Sequence, residues 1–140
     1  MYSRQAAAIA VLALSAATIS ACSGADYGIA ALDRKATSED QLPDFVSDPS
    51  LDIDSVRKVA EQNQISYFIG EMKDDKGFCA YATTGDDFIG GCGEGNGQLV
   101  TVSPGAGSDL LQFTLVTDSY SNEDLRGEGW TEVHDNILVR

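Results

Sequence analysis

From Ile65 onward the chain is cut into short β-branched and aromatic runs by polar, mostly glycine-bearing breaks, a pattern that favours strands over helices. Ile65–Met72 (ISYFIGEM) ends in the polar break Lys73-Asp74-Asp75-Lys76-Gly77, and Phe78–Thr84 (FCAYATT) follows. The two runs read as a hairpin closed by a loop of about five residues. Thr84-Gly85-Asp86-Asp87 turns the chain again before Phe88-Ile89-Gly90-Gly91-Cys92. Leu99–Val102 stops at Ser103-Pro104-Gly105, and Leu110–Thr117 sets Leu111, Phe113 and Leu115 on one face. A loop over Asp118–Gly129 leads to Trp130–Arg140, read as one last strand. No internal repeat and no long amphipathic helix interrupts the series. These runs predict a small antiparallel, mostly-β domain, sandwich or barrel-like, over residues 44–140.

Upstream the reading is less uniform. Leu51–Ala60 (LDIDSVRKVA) fits helical spacing through Val56, Val59 and Ala60. It also fits a strand and turn leading into Ile65, and the balance favours the strand. Residues 22–43 are rich in Ser, Gly, Asp and Glu and poor in periodic apolar residues, as in a flexible tether. As a random coil, its roughly 20 residues would reach about 25 Å. Thr37 could cap one helical turn that ends near Pro43, and docking of this stretch along the domain is the alternative.

The first 21 residues differ from everything after them. Arg4 lies beside the α-amino group, and Gln5–Ala21 carries no charge and is dominated by Ala, Ile, Val and Leu. Ile19-Ser20-Ala21-Cys22 closes the run. Charged start, apolar middle and small-residue end make a signal peptide over residues 1–21, too short and Ala/Ser-rich for a comfortable membrane span. Aliphatic, small, small, Cys resembles the lipobox of bacterial lipoproteins. The resemblance implies cleavage before Cys22, diacylglyceryl transfer to its thiol, and a chain held at the extracytoplasmic face of the cell membrane. Two acyl chains anchor stably where one would not.

Lipid on Cys22 accounts for the odd number of cysteines. Cys79 and Cys92 then remain as a pair outside the cytoplasm, where disulfides persist. Such a bridge closes a loop of roughly 14 residues and contributes about 3 kcal/mol by loop entropy. No C-x-x-C spacing points to redox catalysis instead.

The chain has 22 Asp+Glu against 9 Lys+Arg, for a net charge of −13. Loss of Arg4 leaves 8 − 22 = −14 on the mature chain. This balance excludes nucleic acid as an electrostatic partner and repels an anionic bilayer, so the lipid does the holding.

Candidate chemistry is sparse. Gly90–Gly97 (GGCGEGNG) lacks the Lys and Ser/Thr of a phosphate loop, and its glycines read as positive-φ positions around the disulfide. Asp52 and Asp54 begin like a calcium loop, but Val56 and Arg57 stand where a ligand and a glycine are needed. Asp74-Asp75 and Asp86-Asp87 fall in turns, where Asp bonds its own backbone. His134 is the only histidine, and no Gly-x-Ser-x-Gly elbow supplies a serine for it. No cofactor and no metal are expected.

Eight aromatics sit on the strands and their flanks: Tyr67, Phe68, Phe78, Tyr81, Phe88, Phe113, Tyr120 and Trp130. Most belong in a core, and any left exposed near the Cys79–Cys92 loop would form a protein-contact patch. The order DRKATSEDQLP (Asp33–Pro43), DSVR (Asp54–Arg57), GGCG (Gly90–Gly93), VTDSY (Val116–Tyr120) and GW…NILV (Gly129–Val139) resembles small membrane-anchored or secreted proteins of actinobacteria. That resemblance implies architecture and location and carries over no catalytic residue.

The expectation is therefore a monomeric, lipid-anchored β-domain without catalysis that meets an envelope or secreted protein. The alternatives are a small cell-envelope hydrolase using acidic residues, and a sensor or inhibitor domain for a secreted ligand.

Overall fold

The computed structural model describes residues 28–140, so the signal peptide and Cys22 lie outside the described residues. Four strands form a first antiparallel meander: β1 (Arg57–Gln62), β2 (Ile65–Glu71), β3 (Gly77–Thr84) and β4 (Asp87–Glu94), in that spatial order. A second antiparallel sheet holds β5 (Gln98–Val102), β6 (Phe113–Val116), β7 (Thr131–His134) and β8 (Ile137–Val139), ordered β5-β6-β8-β7. One short helix, α1 (Glu123–Gly127), lies between β6 and β7. At one margin β4 packs against β5, and at the other β1 meets β7, so the two sheets enclose one interior like a barrel.

The interior follows from alternation along the strands. Ile65, Tyr67 and Ile69 of β2 point inward with Ala80 and Ala82 of β3, and Phe113, Leu115, Ile137 and Val139 meet them from the second sheet. Register pairs large with small: Tyr67 stands opposite Ala82, and Ile69 opposite Ala80. Gly93 lets the two sheets close, since a Cβ there would lie 2.3 Å from the Leu99 carbonyl oxygen.

Each sheet also buries part of its outer face. On the first, Phe68, Cys79 and Tyr81 are covered by Leu42, Val46, Leu51 and Val56 from the segment ahead of β1. On the second, Val116 and Leu138 are covered by Leu125 of α1 and by Trp130. The Arg140 guanidinium stacks 4.6 Å above the Trp130 ring.

Several expectations change here. Leu51–Ala60 is a 3₁₀ turn over Ile53–Ser55 followed by strand β1, so its second half is the strand. Trp130–Arg140 is a hairpin rather than one strand. His134 pairs with Ile137 across the turn Asp135-Asn136, and Asn136 is buried there, donating from Nδ2 to the Val116 carbonyl (2.9 Å) and to Asp118 Oδ1 (2.8 Å). Leu111 is exposed, while Leu110, Phe113 and Leu115 are buried.

The tether expected over 22–43 is, from Gly28 on, part of the domain. Ile29 and Leu32 enter the interior cluster and Leu42 the outer one, so the stretch buries more apolar surface than its composition suggests. Its start is fixed by Asp118, whose Oδ2 accepts from Ala30 N–H (2.8 Å) and whose N–H donates to the Gly28 carbonyl (3.1 Å). Its middle is fixed by Asp40. This buried carboxylate accepts two hydrogen bonds from Arg34 (2.6 and 2.7 Å), one from Thr37 N–H (2.7 Å) and one from Lys58 N–H (2.8 Å). Arg34 also donates to the Lys58 carbonyl (3.1 Å). Asp40 and Arg34 thus occupy both backbone groups of Lys58 on the edge strand β1, much as a neighbouring strand would. The one-turn helix expected from Thr37 is present as the 3₁₀ turn Ser38–Asp40.

Candidate contact surface

The outer face of the first sheet gathers the most unusual set of side chains. β4 directs Ile89 and Gly91 inward, so Phe88, Gly90 and Cys92 share the outer face with Tyr81 and Cys79 of β3. Cys79 and Cys92 stand directly opposite each other and form a disulfide, with S–S 2.01 Å and Cα–Cα 3.9 Å. Tyr81 lies across Gly90: a Cβ there would sit 2.2 Å from the ring, so only glycine lets the ring lie flat. The Tyr81 hydroxyl reaches over and donates to Asp48 Oδ2 at 2.8 Å.

Asp48 belongs to the covering segment, where its Oδ1 accepts from Ser50 N–H (2.9 Å). Its Oδ2 also lies 3.4 Å from Cys92 Sγ. Burial, and then the neighbouring carboxylate, push the Tyr81 hydroxyl far above the ordinary phenol range. It stays protonated and serves as a fixed donor. Among the described residues, Asp48, Cys79 and Cys92 are the one group close enough to share a metal ion. Both sulfurs are committed to the disulfide, which removes them as thiolate ligands.

Beside this rung the cover ends. Phe45 and Phe88 remain 40% and 36% exposed, with ring centroids 6.0 Å apart and planes inclined at 43°. Neither belongs to a buried cluster. Of the aromatics expected in the core, Tyr67, Phe68, Tyr81, Phe113 and Trp130 are buried, and Phe78 and Tyr120 are half-buried. Phe88 is the one left out, on the same strand face as the disulfide. Phe45 carries no strand pattern in the sequence. Its signal is an aromatic in a loop bracketed by Pro43 and Pro49, where nothing obliges burial.

The other candidate chemistry dissolves into structure. Asp52 Oδ1 accepts from Asp54 N–H (3.2 Å), Asp74 Oδ1 from Lys76 N–H (3.1 Å), and Asp87 Oδ2 from Ser108 Oγ (2.6 Å). Each is a turn or loop fastening. In the Gly90–Gly97 run only Gly95 and Gly97 have positive φ, both 89°. The earlier glycines lie within β4, where close packing rather than backbone handedness calls for them.

His134 lines an open cleft of about 550 Å³ with Asp118, Ser121, Asn122 and Glu132. His134 and Glu132 are already engaged, while the buried Asn122 Oδ1 has no partner. His134 Nδ1 accepts from Asn136 N–H (3.2 Å), which leaves the ring proton of the neutral imidazole on Nε2. Glu132 accepts from Arg126 and from Asn122 Nδ2, and the Arg126 contact holds its carboxyl below the ordinary value. That is the opposite of what a general acid requires.

No protein-family model matches this chain, and comparison with curated proteins and with solved structures yields no similar protein.

Proposed function

We propose that this chain is an envelope-displayed contact domain: held to the bilayer by lipid on Cys22, stapled by Cys79–Cys92, and acting through protein binding without catalysis. The observation that carries the contact reading is the exposed Phe45–Phe88 pair beside an otherwise covered sheet. Two adjacent phenyl rings left in water on a domain with three buried apolar clusters favour an interface over a packing defect. The cleft at His134, whose Asp118 and Glu132 carboxylates are fastened, gives a hydrolase less support.

The anchor reading rests on Ile19–Cys22, and the docked N-terminus adds a geometric consequence. Five residues separate Cys22 from Gly28, a gap of at most about 20 Å when fully extended. Gly28 is bonded to Asp118, next to Thr117, whose N–H donates to the Gly97 carbonyl just past the end of β4. Phe88 lies near the start of that strand, about 20 Å away along its length. A lipid on Cys22 would keep the Asp118 end close to the bilayer and leave the Phe pair facing away.

Two measurements test this. Cys22→Ala should move the protein from the membrane to the soluble fraction; retention in the membrane refutes the anchor. A photo-crosslinking residue at position 88 should capture an envelope or secreted protein in cells, and one at position 127 should not. Capture from neither position, with altered cell-wall polymer turnover on deletion, would favour the hydrolase.

A further inference from the structure

We infer that the Phe45–Phe88 face accepts a cationic protein segment: an apolar side chain seated between the two rings, flanked by Lys or Arg. This rests on reading the domain as a contact module and specifies the chemistry of its partner.

The distribution of charge carries the inference. Phe45 lies in the stretch Gln41–Val56, which has four Asp (44, 48, 52 and 54) and no Lys or Arg. Phe88 lies in the stretch Gly77–Leu125, which has seven acidic residues and no Lys or Arg. The two segments that supply the rings are therefore the two long cation-free stretches of the described chain. Asp44 adjoins Phe45, and Asp86 and Asp87 adjoin Phe88. Asp44 and Asp86 are exposed.

No Lys or Arg adjoins either ring in sequence. Arg140, at the same end of the barrel as Phe88, is held on the second sheet by Trp130 and Gln112, and Arg126 is paired with Glu132. Lys73 and Lys76 flank the β2–β3 turn, beside the Gly77–Glu94 pair, whereas Phe88 lies one rung from the opposite end of that ladder, at Thr84–Asp87. Arg34, Arg57 and Lys58 are gathered at the start of β1, where Arg34 is bonded to Asp40 and Lys58 to Glu61.

Physical chemistry then selects the occupant. Two inclined phenyl rings offer apolar area for one side chain, and their faces attract ammonium or guanidinium groups. The Asp44, Asp86 and Asp87 carboxylates add a negative field that speeds encounter with a cationic partner and raises the cost of an acidic one. A second copy of this chain is a poor occupant, because it would bring its own excess of carboxylates to an acidic rim. An anionic lipid surface is repelled for the same reason.

The test uses the mature chain in non-ionic detergent and three fluorescent peptides at low ionic strength, read by anisotropy. One has a Leu-Trp-Leu core flanked by lysines, one the same core flanked by glutamates, and one a Gly-Ser-Gly core flanked by lysines. The first should bind at least about tenfold more tightly than either other. Phe45→Ser or Phe88→Ser should weaken it by about fivefold or more, while Glu94→Gln, at the far end of β4, leaves it within about twofold.

Because both rings are outside the cores, unchanged thermal midpoints in the two Ser variants show that folding is intact. Equal binding of the glutamate peptide, equal binding without the apolar core, full binding to the Ser variants, or no binding overturns the inference. Capture at position 88 in cells together with any of those results overturns the partner chemistry alone and leaves the contact reading standing.

Discussion

The two sheets are covered on their outer faces by different means, and the difference separates packing from presentation. The second sheet is closed by one residue run, Asp118–Trp130, in which Leu125 and Trp130 seat on Val116 and Leu138 and Arg140 stacks on the indole. Its aromatic rings are Trp130, buried, and Tyr120, half-buried against the same cluster. The first sheet is covered by an extended segment with two short 3₁₀ turns, fixed at single points: Asp40 to Arg34 and Lys58, Asp48 to Tyr81, and Leu51 to Met72 by an isolated bridge. Its Cys79–Cys92 rung is stapled by the disulfide, and Phe45 and Phe88 are left outside. The sealing cover seats two large apolar side chains and adds polar ties at its rim, from Asn122 and Arg126 to Glu132. A cover that must hold a polar, partly open face in one shape needs directional bonds and a covalent tie, which is what a binding surface requires of its support.

The largest effect should come from breaking the sealed cover. Trp130 is 6% exposed, and Trp130→Ala should cost about 4 kcal/mol in unfolding free energy, read by urea denaturation. That is a large share of the stability of a domain of this size. The second largest belongs to the other cover. Cys79→Ala with Cys92→Ala should cost about 3 kcal/mol by loop entropy, and the intact protein should weigh two hydrogens less than its reduced form. If removing the disulfide cost more than removing Trp130, the fixed cover rather than the sealed one would dominate stability, and the comparison would reverse.

The same contrast governs what the sequence discloses. The hairpins over β2, β3 and β4 are legible because their signals are local: β-branched and aromatic runs, with Lys73–Gly77 and Thr84–Asp87 between them. The disulfide follows from cysteine counting once Cys22 is assigned to lipid. The split of the last strand is harder to read, because Asp135-Asn136 has no glycine or proline and its turn is held by the distant Val116 and Asp118. The docking of 28–43 is hidden for a related reason. Ile29 and Leu32 sit in one apolar run too short to show a period, Leu42 is isolated, and their partners come from strands far along the chain. Phe45 gives no periodic signal because it is exposed, and its neighbour Phe88 is 43 positions away.

A pH titration sharpens the comparison at its smallest scale. Asp40 holds the entry to the fixed cover, and the Arg34 hydrogen bonds, with further help from Thr37 and Lys58 N–H, keep its carboxyl well below the usual carboxylate range. Unfolded, the group titrates near 4. A carboxyl lowered by folding adds stability that is complete above the unfolded value and is lost as pH falls toward the folded one. Asp40→Asn removes that contribution while keeping the shape. At pH 7 it should cost about 2 kcal/mol, since charge-assisted bonds become neutral ones or are lost. Below pH 4 the gap between native chain and variant should narrow, because the native carboxyl approaches protonation while the amide does not titrate. Glu61 and Glu132, also lowered by Lys58 and Arg126, are present in both proteins and cancel in the difference. A gap that stays constant from pH 7 down to pH 2 would mean that Asp40 holds the cover by shape alone, and the directional fastening of the first sheet would lose its strongest example.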